Sequence, residues 1–295
     1  MVNDGSAWTT LADNGSQRQR TVVGKQGFPK GLAVWPGFTI TTTASVNRRN
    51  PNMADSTRNL TCEFIGTFAL TFIGAGAILT TTWTGGQPGL VGIAIAHGLA
   101  LAIAVSATMN ISGGHINPAV TMAMIATGRI KPGAGVAYIF AQCLGATAAG
   151  YLLLMIFNGL GQAAGGMTGR AAIEACKLGT PFFAAPTVSV GTAVLVEVLL
   201  TFLLLFAVFG TAVDSRAPKI GGFGIGLTVG MDILMGGPIT GGAMNPARTI
   251  GTLIGGGSAT SSLWSQHWVY WVGPVVGAHL AAFIYDRLIL KPSKP

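Results

Sequence analysis

Six long apolar runs, at residues 60–80, 90–109, 135–157, 188–213, 220–235 and 268–289, alternate with short polar connections. Each is close to the ~20 residues that carry a helix across a bilayer, so the pattern predicts an all-α protein with six transmembrane helices. The fifth run is short and rich in glycine. Ahead of them, residues 1–57 are polar apart from a brief apolar patch at 31–35, too weak for a span or a secretory signal. That stretch reads as a disordered tail in which Met53 is a candidate start. The expected organisation is a tail over 1–57, a membrane domain over 58–289 with halves at about 60–157 and 188–289, and a short tail over 290–295.

Two further apolar stretches, 120–125 and 249–254, make only about two helical turns each and cannot span. Both follow the same tripeptide: Asn117-Pro118-Ala119, after Ser112-Gly113-Gly114-His115-Ile116, and Asn245-Pro246-Ala247, after Gly241-Gly242-Ala243-Met244. Asn suits a helix cap, and Pro suits the first helical position because the N–H it lacks would be unpaired there. Each tripeptide therefore starts a half-helix whose N-terminus ends inside protein.

The halves also repeat. Glu63 with Thr67-Phe68 recurs as Glu197 with Thr201-Phe202, the tripeptide recurs, and Gly145-Ala146 recurs as Gly277-Ala278, all about 130 positions on. Three spans per half turn the second half upside down relative to the first. The expected fold is thus a 3+3 inverted repeat with two re-entrant half-helices meeting at mid-membrane. Non-helical backbone at that depth is tolerable only where it lines a cavity or is buried in protein.

Composition agrees. Of 295 residues, 50% are apolar and only 9% charged, against the ~25% charged of soluble domains. The 44 glycines are spread through apolar segments, as close helix packing in a membrane requires. A net charge of +8 does not indicate nucleic acid, because its carriers sit in the tail and short loops without interleaved aromatics. Arg48, Arg49, Arg58, Arg129, Lys131, Arg216, Lys219, Arg287, Lys291 and Lys294 fall on one side of the spans, which places both termini in the cytoplasm. Cys62 and Cys143 lie in apolar runs and Cys176 in a loop, which gives neither a disulfide framework nor a metal-binding spacing. No cofactor and no enzymatic chemistry are expected.

Two such tripeptides, within SGGHINPAVT and GGAMNPAR, in a six-span duplicated chain resemble the aquaporin (major intrinsic protein) family over residues 60–289. The resemblance implies a six-helix bundle, a homotetramer with one pore per protomer, and passage of water or other small neutral permeants. Two half-helix N-termini aimed at one point disfavour cations there. The amides of Asn117 and Asn245 are expected to donate to a passing water and interrupt a proton wire. Carbonyls of Gly113, Gly114, His115 and Ile116, and of Gly241, Gly242, Ala243 and Met244, are expected to form a ladder of acceptors. Glu63 and Glu197, costly in apolar spans, are read as buttresses that accept backbone N–H groups of the re-entrant segments. Asp232 is expected to orient a loop or Arg248.

By the same resemblance His97, Ile233, Gly242 and Arg248 form an outer constriction similar to that of plant tonoplast aquaporins associated with water and ammonia. Narrow water-only filters have Phe in the second span and His in the fifth, so Ile233 opposite Gly242 implies a wider, partly apolar opening, with hydrogen peroxide and urea as further permeants. Gly242 stands where mercury-sensitive members often have Cys, so no mercury block is expected there unless Cys62 or Cys143 reaches the pore. The side chains of His115 and His279 are read as packed, and His267 as an interfacial residue beside Trp264 and Trp268. A glycerol facilitator is the nearest alternative, disfavoured by Thr249 after Arg248 and by Tyr270-Trp271 before Gly273-Pro274. A structural or junctional membrane protein is the alternative of another class. The plasma membrane is the favoured location and the vacuolar membrane the second.

Overall fold

The computed structural model describes residues 53–218 and 220–290. Among them are nine α-helices: α1 Met53–Trp83, α2 Gly89–Thr108, α3 Pro118–Ala126, α4 Pro132–Asn158, α5 Gly169–Cys176, α6 Val190–Val208, α7 Phe223–Thr240, α8 Pro246–Gly255 and α9 Val269–Ile284. Six are long and apolar enough to cross a membrane, α6 and α9 being prolonged by π-helical turns to Val213 and Ile289. The outside of this bundle is apolar, with Val136 64%, Phe140 66% and Leu227 71% exposed, which is the arrangement hydrocarbon solvates.

α1 begins at Met53, inside the stretch read as tail; the rest of that tail, with Arg48 and Arg49, lies outside the described residues, as do Lys219, Lys291 and Lys294. The fifth span runs from Phe223 to Thr240 instead of 220–235. Gly221, at φ +60, turns the chain just ahead of the helix, and Pro238 is carried inside it. The connection over 158–187 is not a bare loop, because Thr168 Oγ1 caps α5 by accepting from Ala171 N at 3.2 Å. Ala172 and Ile173 of α5 are buried while Arg170 and Glu174 face outward.

α3 and α8 are the half-helices, both started by the tripeptides. Each capping asparagine donates to the carbonyl of the residue before the other, Asn117 to Met244 O and Asn245 to Ile116 O, so the two half-helix starts face each other. Each is seated on the other half, α3 on α9 and α8 on α4. The long helices cross in matching pairs, α1 with α4 and α6 with α9. Gly145 faces the carbonyl of Phe64 at the first crossing and Gly277 that of Val198 at the second, so closely that a Cβ would collide with each oxygen. The repeated glycine is therefore the contact point of each pair.

One end of the bundle gathers basic residues. Arg129 Nη2 lies 2.6 Å from Asp286 Oδ1, and its guanidinium stands 4.9 Å over the Phe209 ring. Nearby, Arg216 Nη2 lies 2.7 Å from Asp214 Oδ2, which also accepts from Tyr285 Oη at 3.3 Å.

Candidate functional site

The site is built from the two half-helix starts. Asn117 sits in extended conformation and its Oδ1 accepts from Ala119 N at 2.9 Å, while Asn245 Oδ1 accepts from Ala247 N at 3.1 Å and Arg248 N at 3.2 Å. With the oxygens committed to capping, the amide nitrogens point across the interface. Asn117 Nδ2 donates to Met244 O at 2.8 Å, and Asn245 Nδ2 donates to Ile116 O at 2.8 Å. One N–H of each amide is thus used within the protein, and two of the eight carbonyls expected in the acceptor ladder already accept a bond.

The residues before each asparagine are held in a shape that side chains ordinarily avoid. Ile116 (φ +54) and Met244 (φ +51) are both left-handed, costly for a β-branched residue above all. The two spans supply what holds them. Glu63 Oε1 accepts from Ser112 Oγ at 2.6 Å and His115 N at 3.0 Å, and Oε2 from Ile116 N at 2.6 Å and Gln142 Nε2 at 2.8 Å. Glu197 Oε1 accepts from Thr240 Oγ1 at 2.7 Å and Ala243 N at 3.0 Å, and Oε2 from Met244 N at 2.8 Å. Both carboxylates are fully buried, and each ties a span to the re-entrant segment of its own half.

The repeat extends further than the three matches visible in the sequence. Tyr138 Oη donates to Ser112 O at 2.9 Å and Tyr270 Oη to Thr240 O at 2.8 Å, again at corresponding positions. Aligning the halves residue by residue would have found Tyr138 with Tyr270 and Ser112 with Thr240. Gln142 breaks the symmetry, since Pro274 stands in its place in the second half.

A cavity of about 210 Å³ runs past Asn117 and Asn245, with Leu70, Leu101 and Val229 among its apolar walls. A second, of about 490 Å³, lies beneath α5 and the turn after it. His97, Ile233 and Arg248 border both cavities, which therefore meet at these three side chains. His97 Nδ1 lies 2.9 Å from Ile93 O, so that nitrogen carries the hydrogen and Nε2 is left to accept from Arg248 Nη2 at 3.3 Å. Arg248 Nη1 donates to Gly179 O at 2.8 Å. Gly242 faces Ile233, and a Cβ at Gly242 would lie 3.5 Å from Ile233 Cγ1. The structure brings together all four residues of the expected constriction and adds the Gly179 carbonyl, for which the sequence carried no signal.

Gly113, Gly114, His115, Gly242, Ala243 and Met244 border the inner cavity, whereas Gly241 borders the outer one and Ile116 is buried behind the wall. His115 packs its ring edge-on against Tyr138 and brings Nδ1 to 3.1 Å from Thr121 Oγ1, and His279 Nδ1 lies 2.7 Å from Val275 O. His267 Nε2 accepts from Trp271 Nε1 at 2.9 Å, with Trp264 against its ring. Asp232 does not orient Arg248, whose side-chain partners are Gly179 and His97; Asp232 Oδ2 is buried without a hydrogen-bond partner among the described residues.

The family model of the major intrinsic proteins matches residues 51–285. Among curated proteins the chain is similar to the probable aquaporin TIP3-2 of Arabidopsis thaliana, 41% identical over 80% of this chain and 85% of that protein. It is also similar to aquaporin TIP4-4 of Zea mays, 40% identical over 83% and 91%. Among solved structures it matches the aquaglyceroporin from Plasmodium falciparum with a TM-score of 0.67, 26% identity, and coverage of 80% of this chain and 97% of that one. These relatives give no support to the expected preference for the plasma membrane. With its fold, its joined half-helix starts and these relatives, the chain belongs to the major intrinsic protein family and is a multi-pass membrane water channel, not an enzyme.

Proposed function

We propose that the channel conducts water in single file, excludes protons and ions, and also passes ammonia, with hydrogen peroxide and urea as further neutral permeants. The observation that carries this reading is the meeting of two capped half-helix N-termini beside a continuous cavity. Their dipoles put positive potential at one point, which disfavours cations there. Each asparagine amide has one N–H left over after its bond across the interface, and that N–H donates to a passing oxygen. A water so held cannot relay a proton along the file. The remaining carbonyls of the re-entrant segments serve as acceptors between successive positions.

The constriction chooses the solute. Arg248 supplies a fixed positive charge, and His97 Nε2 is engaged by it, so the polar side of the opening is rigid. The opposite side is Ile233 with Gly242, apolar and without a bulky side chain. That combination suits a small neutral molecule that is poorly hydrated at one face, which supports ammonia beside water. Glu63 and Glu197 act as buttresses, not as proton relays, because their oxygens are filled by backbone and side-chain donors. The same reading includes a homotetramer in the bilayer, both termini on the basic, cytoplasmic side, and a vacuolar membrane, the last supported by the TIP-type relatives.

The test is a side-by-side flux assay for water, ammonia and glycerol in one preparation of reconstituted vesicles. Water and ammonia are expected to exceed the rates of empty vesicles, and glycerol is not. Ammonia at the lipid-only rate would remove the wider-filter reading, and fast glycerol flux would favour a facilitator.

A further inference from the structure

The walls of the inner cavity are stripes along helices. His97, Leu101, Val105 and Met109, four positions apart, form one face of α2 that borders the cavity along its length. Asn117, Val120 and Met124, three and four apart, form the corresponding face of α3. Met109 directly follows the last residue of α2, and Met124 lies in the last turn of α3, so a methionine ends each stripe. Met124 O accepts from Arg129 N at 2.8 Å, which puts this end of the cavity at the basic face of the bundle. The other side chains that border it there, Ala212, Val213 and Ile225, are aliphatic and chemically inert. Two thioethers are thus the oxidisable groups of an otherwise unreactive ring. Met155, Met231 and Met235 are exposed on the outside of the bundle, where hydrocarbon holds little of any polar oxidant, and Met244 is fully buried beside Asn245.

We propose that Met109 and Met124 are sites of reversible oxidation by hydrogen peroxide, and that their sulfoxides throttle the inner end of the pore. A sulfur lone pair attacks one peroxide oxygen, the O–O bond breaks and an S–O bond forms. The transferred oxygen passes its proton to the other, which leaves as water; sulfur is oxidised by two electrons and peroxide is reduced by two. A thioether is a weak acceptor, whereas a sulfoxide is polar, accepts strongly and is one oxygen larger. On an apolar wall the new oxygens hold passing waters and occupy part of the bore, so each step past the ring slows. Methionine is unbranched and turns about three side-chain bonds, so the larger group is accommodated without unwinding the helix ends. The inference deepens the proposed function, since peroxide is among its permeants and would mark its own passage at the inner end. Its effect on flux rests on that channel reading.

The probe is hydrogen peroxide, incubated with reconstituted vesicles long enough to cross the lipid itself, so that the ring is reached whether or not the pore admits peroxide. Water permeability is then followed by stopped-flow light scattering, each protein being compared with its own untreated rate. Wild type is expected to lose about half of its permeability or more, with recovery on adding methionine sulfoxide reductase but not on adding a small thiol alone. A Met109→Leu, Met124→Leu double variant is expected to keep its untreated rate. A double variant inhibited like wild type overturns the proposal, as does an inhibition that a small thiol alone reverses, which would assign it to a cysteine. A wild type oxidised at both positions with its permeability unchanged overturns the throttle. Peptide mass mapping of the treated protein needs no flux: one added oxygen is expected on Met109 and on Met124, and their absence overturns the sites even if the channel reading fails.

Discussion

His97 and Arg248, far apart in sequence, meet at 3.3 Å where the inner and outer cavities join. The imidazole accepts through Nε2 because Nδ1 is committed to the Ile93 carbonyl one turn earlier in its own helix. Removing the ring leaves Arg248 with Gly179 alone and widens the opening. His97→Ala is therefore expected to raise glycerol and urea flux several-fold over wild type, read in the same vesicles as water. Unchanged solute rates would show that the narrowing lies elsewhere.

The apolar side of the constriction gives a converse expectation. Ile233→His would place a polar ring opposite Arg248 and narrow the gap that Gly242 leaves open. Ammonia flux should fall toward the lipid-only rate while water flux is kept within a few-fold. Stopped-flow uptake with an internal pH dye measures both ends of that comparison.

Each buttress glutamate uses both oxygens on backbone N–H groups, His115 and Ile116 for Glu63, Ala243 and Met244 for Glu197. A glutamine in either place accepts at one oxygen only and turns a donor toward a donor. Glu63→Gln and Glu197→Gln should each cost about 1–3 kcal/mol, the usual penalty of one buried group left unpaired. Thermal unfolding of the detergent-solubilised protein should shift downward accordingly, and an unshifted midpoint would contradict the assigned role.

Gly145 and Gly277 mark the two helix crossings, where a Cβ would collide with the Phe64 and Val198 carbonyls. Gly145→Ala or Gly277→Ala forces backbone apart and should cost about 1–3 kcal/mol, as overpacking does. The yield of folded protein and its unfolding midpoint check this. An alanine at Gly133, which meets open space, serves as the silent control.

At the basic end, hydrogen bonds from Arg216 hold the Asp214 carboxyl at about 2, below its ordinary 3.8. A depressed carboxylate contributes stability that is complete above its unfolded value and lost as pH falls through the folded one. The connection between α6 and α7 should thus keep its structure from pH 8 to about pH 5 and loosen only between about 4 and 2. Hydrogen exchange of residues 214–218 against pH follows it directly, and loosening already near pH 6 would show that another group controls the turn.

Much of this channel is legible in one dimension. Six apolar runs fix the spans because hydrocarbon requires every backbone group to be paired within its own helix. Asn-Pro-Ala marks each half-helix, since capping and the missing proline N–H are local effects, and an odd number of spans per half dictates the inversion. Spacing alone also marks Glu63, Glu197, Gly145 and Gly277, because a duplicated chain repeats its contacts. Long-range pairing had to come from the folded chain. That each asparagine reaches the carbonyl before the other, that Gly179 holds Arg248, and that Cys176 rather than Cys62 or Cys143 borders the outer cavity all depend on segments that only the packed bundle brings together. For Asp232 the sequence left a loop or Arg248 as what it orients, and the packing gives the Arg248 side chain to a histidine and a glycine carbonyl instead. Local chemistry sets where helices start and which faces are apolar, but which donor meets which acceptor is decided by how the two inverted halves close on each other.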